Sequence, residues 1–248
     1  WRRWMAQLTD RLDHKALQHV DVAFVENAWM RDHLRRHMDP DAVVFAPPGV
    51  DTERFRPETL PSEGDYILCV GRLGDPRKNV RMLFEAYAHV REHMANAPRL
   101  VLAGLTGPPP AAWAYAEQRG LREEITFHEA IDASALPGLY GRAAIYAVSS
   151  DEEGLGLTVL EAMAAGRPVV STNCGGPATT IVEGTTGRLT PVGDAEALGT
   201  ALVDVLKHSA QANAMGHAGR VRAERSFSLE ATGQRFLATY DQMLSTVP

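Results

Sequence analysis

Cysteine is scarce. Cys69 and Cys174 are the only two in 248 residues. Both sit in apolar or glycine-rich surroundings without metal-ligand spacing. That excludes a disulfide framework and fits a reducing compartment. No apolar run reaches the roughly 20 residues that a membrane-spanning helix needs, and no signal-peptide pattern is present. Basic residues are not concentrated: 25 Lys and Arg stand against 31 Asp and Glu, for a net charge of -6. With no basic tract interleaved with aromatics, nucleic acid is excluded as a partner. The nine histidines form no ligand pattern.

What is present is apolar content and alternation. The chain is 45% hydrophobic, enough for one large or two modest cores. Residues 1–19 have helical spacing. The Trp1-Arg2-Arg3-Trp4 start has the residue types of a membrane-surface anchor, but without a longer basic face it reads as a helix of a larger domain. A strand at 22–25, a helix at 29–37 and a strand at 43–46 follow, so an α/β domain is expected to end here. Asp39-Pro40-Asp41 has the spacing of an Asp-x-Asp metal site, yet its helix-to-strand setting makes it a turn, and no metal is assigned. Polar, proline-bearing residues 56–65 read as a linker.

Strands at 66–70, 100–103, 125–127 and 145–148 then alternate with helices at 79–94, 111–119 and 136–140. A further helix is expected at 178–182, and three more at 195–207, 210–225 and 228–244. Such alternation predicts a parallel sheet with helices on both faces. Ligands bind such sheets outside the carboxyl ends of the strands, so the loops after Val70, Ala103, Phe127 and Val148 should meet at one edge.

The densest signal lies at 149–172, SSDEEGLGLTVLEAMAAGRPVVST. Asp151, Glu152 and Glu153 lead into Gly154 and Gly156. A helix pattern follows, with Leu157, Leu160, Ala164 and Ala165 at inward spacing, then a stop at Gly166-Arg167-Pro168 and a buried strand. A glycine turn that opens a helix presents free backbone N–H groups to an anion, and glycine lets that anion approach closely. Glu153 and Glu161 flank the turn as carboxylates suited to hydroxyl groups. The loop after the strand at 66–70 adds Arg72, Arg77 and Lys78 at the same edge, a guanidinium fork and a compact charge for phosphate oxygens. Together these features suit a sugar attached to a diphosphate.

CVGRL at 69–73 with Lys78-Asn79, the 149–172 stretch with its Glu-x7-Glu pair, PPGVDTERF at 47–55, Gly175-Gly176-Pro177 and the 183–187 segment resemble the nucleotide-sugar half of retaining glycosyltransferases of family 4. That resemblance implies the GT-B fold, in which two Rossmann-like doubly wound domains face each other. By position it implies Arg72, Lys78 and Glu153 as catalytic residues. The implied donor contacts are Gly71, Arg72, Lys78, Ile131, Glu153, Gly154, Leu155, Gly156, Leu157, Thr158 and Glu161. Within that set, Arg72, Lys78, the N–H groups near Gly156 and Leu157 and the Thr158 hydroxyl would hold the diphosphate. Glu153 would hold the sugar, Glu161 the ribose, and backbone near residues 129–131 the base. Thr179 stands where the family usually has an acid.

The expected organisation is a remnant of an acceptor-side domain at 1–55, a linker at 56–65, a nucleotide-sugar-binding domain at 66–227, and a helix at 228–248 that crosses back. The chain starts without Met and in a helix-like stretch, so a fragment is expected. The expected function is transfer of a hexosyl group with retention from a nucleotide diphosphate sugar to an acceptor. That acceptor is a sugar, a lipid-linked sugar or a small molecule held by the missing domain, and the segment alone is expected to be inactive. The alternative is a non-catalytic nucleotide-sugar-binding or scaffold module. A dehydrogenase is excluded because no Gly-x-Gly-x-x-Gly follows the strand at 66–70. No cofactor and no metal are expected, since the nucleotide sugar is itself a substrate. The expected location is cytoplasmic, with peripheral contact at the inner face of a membrane also allowed.

Overall fold

A computed structural model describes residues 15–57 and 66–245. The expected helix at 1–19 and linker at 56–65 therefore fall largely outside the described residues. Two parallel strands come first, β1 (Ala23–Val25) and β2 (Val43–Phe45), with Ala23 opposite Val43. The helix between them, α1 (Ala28–Leu34), is capped by Asn27, whose Oδ1 accepts from the Met30 N–H at 2.7 Å. At Asp39-Pro40-Asp41 the chain makes a single 3-10 turn, with Asp39 Oδ1 accepting from the Asp41 N–H at 3.0 Å.

The main sheet has six strands: β3 (Tyr66–Val70), β4 (Arg99–Gly104), β5 (Ile125–Glu129), β6 (Ala143–Val148), β7 (Val169–Thr172) and β8 (Arg188–Thr190). Their spatial order is β5-β4-β3-β6-β7-β8, and every pairing is parallel. Helices α2 (Val80–His93), α3 (Pro110–Gln118), α4 (Leu136–Gly141), α5 (Leu157–Ala164), α6 (Gly176–Thr180), α7 (Ala195–Lys207), α8 (Ser209–Phe227) and α9 (Leu229–Ser245) follow.

The central strands are apolar at nearly every position because both faces are covered. Successive residues point to opposite faces. Thus Ile67, Cys69, Leu102 and Ile145 join one core layer with Leu83, Tyr87 and Leu202 of α2 and α7. Tyr66, Leu68, Val101 and Tyr146 join the other, with Tyr140, Leu160 and Phe227 of α4, α5 and α8. Each fully buried large side chain of this kind contributes about 1.5–3 kcal/mol by transfer from water.

Several boundaries differ from expectation. The helix expected at 178–182 runs instead over Gly176–Thr180, because Gly175 (φ 83°) turns the chain and Pro177 suits a first helical turn. Val182 lies beyond that helix and is exposed. Strand β8 had no expectation at all; three residues are too few for a period to show. In α9, Phe236, Tyr240 and Met243 recur at helical spacing, but they do not enter the main core. Phe236 and Tyr240 pack on Phe24 of β1, at ring-centroid distances of 4.5 and 5.7 Å.

The chain thus passes twice between the two sheets, at adjacent points. Val50 N–H donates to the Phe227 carbonyl at 2.7 Å, and Leu229 N–H donates to the Val50 carbonyl at 3.2 Å. Arg220 bolts this junction to the main domain, donating from Nη1 to the carbonyls of Thr52, Phe55 and Ala164 at 2.7 Å each. No described helix is long and apolar enough to cross a membrane.

Candidate functional site

The strand order reverses between β3 and β6, and open parallel sheets take ligands at such a point. The loops leaving these two strands are stitched together there. Asp151 N–H donates to the Arg77 carbonyl at 2.7 Å, the Ser149 hydroxyl donates to the Lys78 carbonyl at 2.8 Å, and Asn79 Nδ2 donates to Asp151 Oδ1 at 2.9 Å. Asn79 takes a left-handed conformation (φ 45°) while its side chain caps α2, a strain asparagine tolerates better than most residues.

Across this seam Lys78 Nζ donates to Glu153 Oε1 at 2.5 Å, and the Ser150 hydroxyl donates to the same oxygen at 2.7 Å. The side chains of the pair are only 19% and 13% exposed. An ammonium group has three N–H donors, so Lys78 keeps capacity for a ligand while paired. Its stem passes beside Gly71.

The three cations of the first loop separate in the structure. Arg72 is 69% exposed and only skirts Asp75, at 3.9 Å. Arg77 is taken up by Asp75, with Nη2 to Oδ2 at 2.8 Å and Nε to Oδ1 at 3.2 Å. Those bonds, joined by one from the Arg77 backbone, hold the Asp75 carboxyl down at about 2.

Beyond Glu153, the Gly154 carbonyl accepts from Asn27 Nδ2 at 2.8 Å. The Glu26 carboxylate occupies the space where a Gly154 Cβ would lie. Leu155 turns into the core, so the site gains only its backbone. Gly156 takes the left-handed conformation (φ 80°) as the N-cap of α5 and offers no side-chain cap. The first N–H groups of α5 are therefore left to an outside partner. Leu157, expected inward, is 47% exposed at this helix start; the inward stripe begins at Val159. Thr158 and Tyr146 line the same wall of the crevice as Lys78 and Glu153.

One turn into α5, Glu161 Oε2 accepts from the Tyr140 hydroxyl at 2.7 Å. Burial pushes the Glu161 carboxyl up, and the Tyr140 hydrogen bond and the Arg54 charge act in the opposite direction. In the loop after β5, Ala130 takes φ 48° and its N–H donates to the Gly104 carbonyl at 2.9 Å. Ile131 is half-buried against the same layer as Tyr140 and Leu160. Both cysteines are free and buried, with thiols pushed up by that burial to about 12 for Cys69 and about 11 for Cys174. Among the described residues no group of three or more His, Cys, Asp or Glu side chains is placed to hold a metal ion.

The family model for glycosyl transferases group 1 matches residues 50–222, which contain the Lys78–Glu153 pair, the glycine turn and Glu161. The chain belongs to the glycosyl transferases group 1 family. Curated relatives of this group 1 chain include a GDP-mannose-dependent alpha-(1-6)-phosphatidylinositol monomannoside mannosyltransferase of Mycolicibacterium smegmatis. It is 32% identical over 87% of this chain and 61% of its own length. A D-inositol 3-phosphate glycosyltransferase of Segniliparus rotundus is 32% identical over 84% of this chain and 49% of its own. The chain thus spans about half to three fifths of the length of these relatives. Among solved structures, sucrose-phosphate synthase from Thermosynechococcus elongatus superposes with a TM-score of 0.82 and 28% identity, over 95% of this chain and 61% of that one. The architecture is that of GT-B glycosyltransferases.

Several contacts at the crevice escaped the sequence reading. Ser150 was legible only as part of a motif, with no signal for its bond to Glu153. Thr179 does not leave an empty place: its hydroxyl accepts from the Ala28 N–H at 3.1 Å, and its carbonyl accepts from Arg222 at 3.1 Å. Tyr140 and Tyr146 fall within an expected helix and an expected strand, with no role assigned.

Proposed function

We propose that this chain is the donor-binding half of a retaining hexosyltransferase of glycosyltransferase family 4. The observation that carries the reading is the Lys78–Glu153 pair, held at the reversal of strand order beside the uncapped start of α5. A nucleotide diphosphate sugar would lie across this point. Its diphosphate would meet the α5 N–H groups and the Thr158 hydroxyl on one side, and Arg72 and Lys78 on the other. Charge that develops on the departing diphosphate is stabilised there by preorganised donors, without a divalent ion. The transferred sugar would face Glu153, the ribose Glu161, and the base the backbone at 129–131. The acceptor, a sugar, lipid-linked sugar or small molecule, would come from a facing domain of which residues 15–55 form the last described part. The reaction belongs to the cytoplasmic side, with peripheral contact at the membrane face. The names of the relatives make GDP-mannose the first donor to test, and phosphorylated or lipid-linked inositol the first acceptor class.

The test is calorimetry with GDP and UDP and with GDP-mannose and UDP-glucose. Hydrogen bonds to charged groups contribute about 1.5–3 kcal/mol each. Arg72→Ala and Lys78→Ala are each expected to weaken nucleoside diphosphate binding at least about tenfold. Unchanged affinity in both variants would remove the diphosphate from this crevice.

A further inference from the structure

Two tyrosines lie fully buried beneath the crevice. Tyr140 belongs to α4 and Tyr146 to β6, at 0% and 1% exposure, with ring centroids 5.5 Å apart. A buried phenol hydroxyl needs a partner. Tyr146 donates to the Val70 carbonyl at 3.1 Å, at the end of β3. Tyr140 donates instead to a carboxylate, Glu161 Oε2. Its ring is pinned between Tyr146 and Phe55, the latter edge-on at 5.6 Å, so packing on both sides sets the position of the hydroxyl. Among the described residues the Glu161 carboxylate has no other hydrogen-bond partner and no ion pair, which leaves Oε1 for a ligand.

We propose that Tyr140 is a positioning residue for nucleotide recognition. If Glu161 is the ribose carboxylate, as proposed above, the Tyr140 hydroxyl holds it in one rotamer with Oε1 toward the ribose hydroxyls. Discrimination between ribo- and deoxyribonucleotides then depends on a phenol that never touches the ligand. An O–H to carboxylate bond is short and directional, and a side chain already fixed loses little freedom when the ligand arrives. The same bond favours the ionised carboxylate, the form that accepts from two ribose hydroxyls. The groups that face Glu161 are Tyr140 from α4 and, by charge alone, Arg54 from the junction; Tyr146 stands behind Tyr140.

The experiment measures affinities for GDP and UDP and for their 2′- and 3′-deoxy analogues, across a pH series, in four proteins: the unsubstituted chain, Glu161→Ala, Tyr140→Phe and Tyr87→Phe. Tyr87→Phe removes an equally buried hydroxyl, one that donates to the Pro98 carbonyl in the opposite core layer. Glu161→Ala is expected to abolish the ribo-to-deoxy preference. Tyr140→Phe is expected to reduce it about tenfold, the low end of one lost hydrogen bond to a charged group. It should also move the acid limb of binding to higher pH, while Tyr87→Phe leaves both unchanged. A preference lost in Glu161→Ala but intact in Tyr140→Phe, with an unmoved acid limb, overturns the positioning role alone. A preference intact in Glu161→Ala overturns the ribose reading and the positioning role with it. If Tyr140→Phe does not fold, a fluorinated tyrosine at position 140, a stronger donor of nearly the same shape, should move the acid limb to lower pH; an unmoved limb overturns the role.

Discussion

Lys78 and Glu153 neutralise each other in a crevice that is largely withdrawn from water. Removing one member of such a pair strands the other, at a cost of about 3 kcal/mol. Glu153→Ala is therefore expected to lower Tm by roughly 6–10 °C in a chain of this size. Lys78→Ala added to it should recover part of the loss, which thermal unfolding of the single and double variants checks. Because Glu153 also orients Lys78, its loss should weaken the free diphosphate as well as the sugar donor. Glu161 acts in the opposite sense. Its carboxyl is raised by burial, so its contribution to stability is fully present below the unfolded-state pKa and is lost as pH rises through the folded one. At neutral pH the ionised group is a burden on the empty fold and an asset to the ligand. Glu161→Gln is expected to raise the Tm of the ligand-free chain by about 2 °C at neutral pH and to give no gain in acid. A gain of equal size at both pH values would mean that the carboxyl is not the cause.

At the level of elements, the start of α5 depends on one backbone conformation. Gly156 holds φ 80°, and a side chain there costs roughly 1–2 kcal/mol. Gly156→Ala should lower stability by about that amount and reduce diphosphate affinity further, because the α5 N–H groups turn away from the crevice. Equal affinity at lower Tm would show that those groups take no part. This turn was legible in the sequence, since glycines before an apolar period of 3.6 have few other uses. The buried strands were legible too, because unbroken apolar runs such as 66–70 and 145–148 leave a sheet covered on both faces as the simplest solution. What the sequence concealed is which polar atoms meet across the chain. Arg72, Arg77 and Lys78 look alike in one loop, and only the fold turns Arg77 onto Asp75 and Lys78 onto Glu153. Tyr140 gave no signal because its ring is core while its hydroxyl belongs to the crevice. Leu157 misled because the first residue of a helix is set by the turn before it rather than by the stripe that follows.

On the scale of the molecule, the segment that follows β1 reaches over the glycine turn through Asn27 and Glu26 and onto α6 through Ala28. The crevice is therefore bordered by both sheets, and the junction at Val50 and Ser228 lets them be tied together at two adjacent points. The Lys78–Glu153 pair has a kinetic consequence as well. With its lysine already neutralised, the crevice projects little positive field, and Arg72 is the cation most exposed beside it. A nucleoside diphosphate is an anion approaching 248 residues that carry a net charge of -6. Its encounter should not be steered by long-range attraction, because the field it meets at a distance is repulsive. Salt shortens the range of that repulsion, so the association rate measured by stopped flow should hold level or rise from low to physiological ionic strength. A steep fall would reveal an attractive field at the mouth of the crevice. The favourable contacts would then be felt only after contact, and differences in affinity among ligands would lie in how long each one stays.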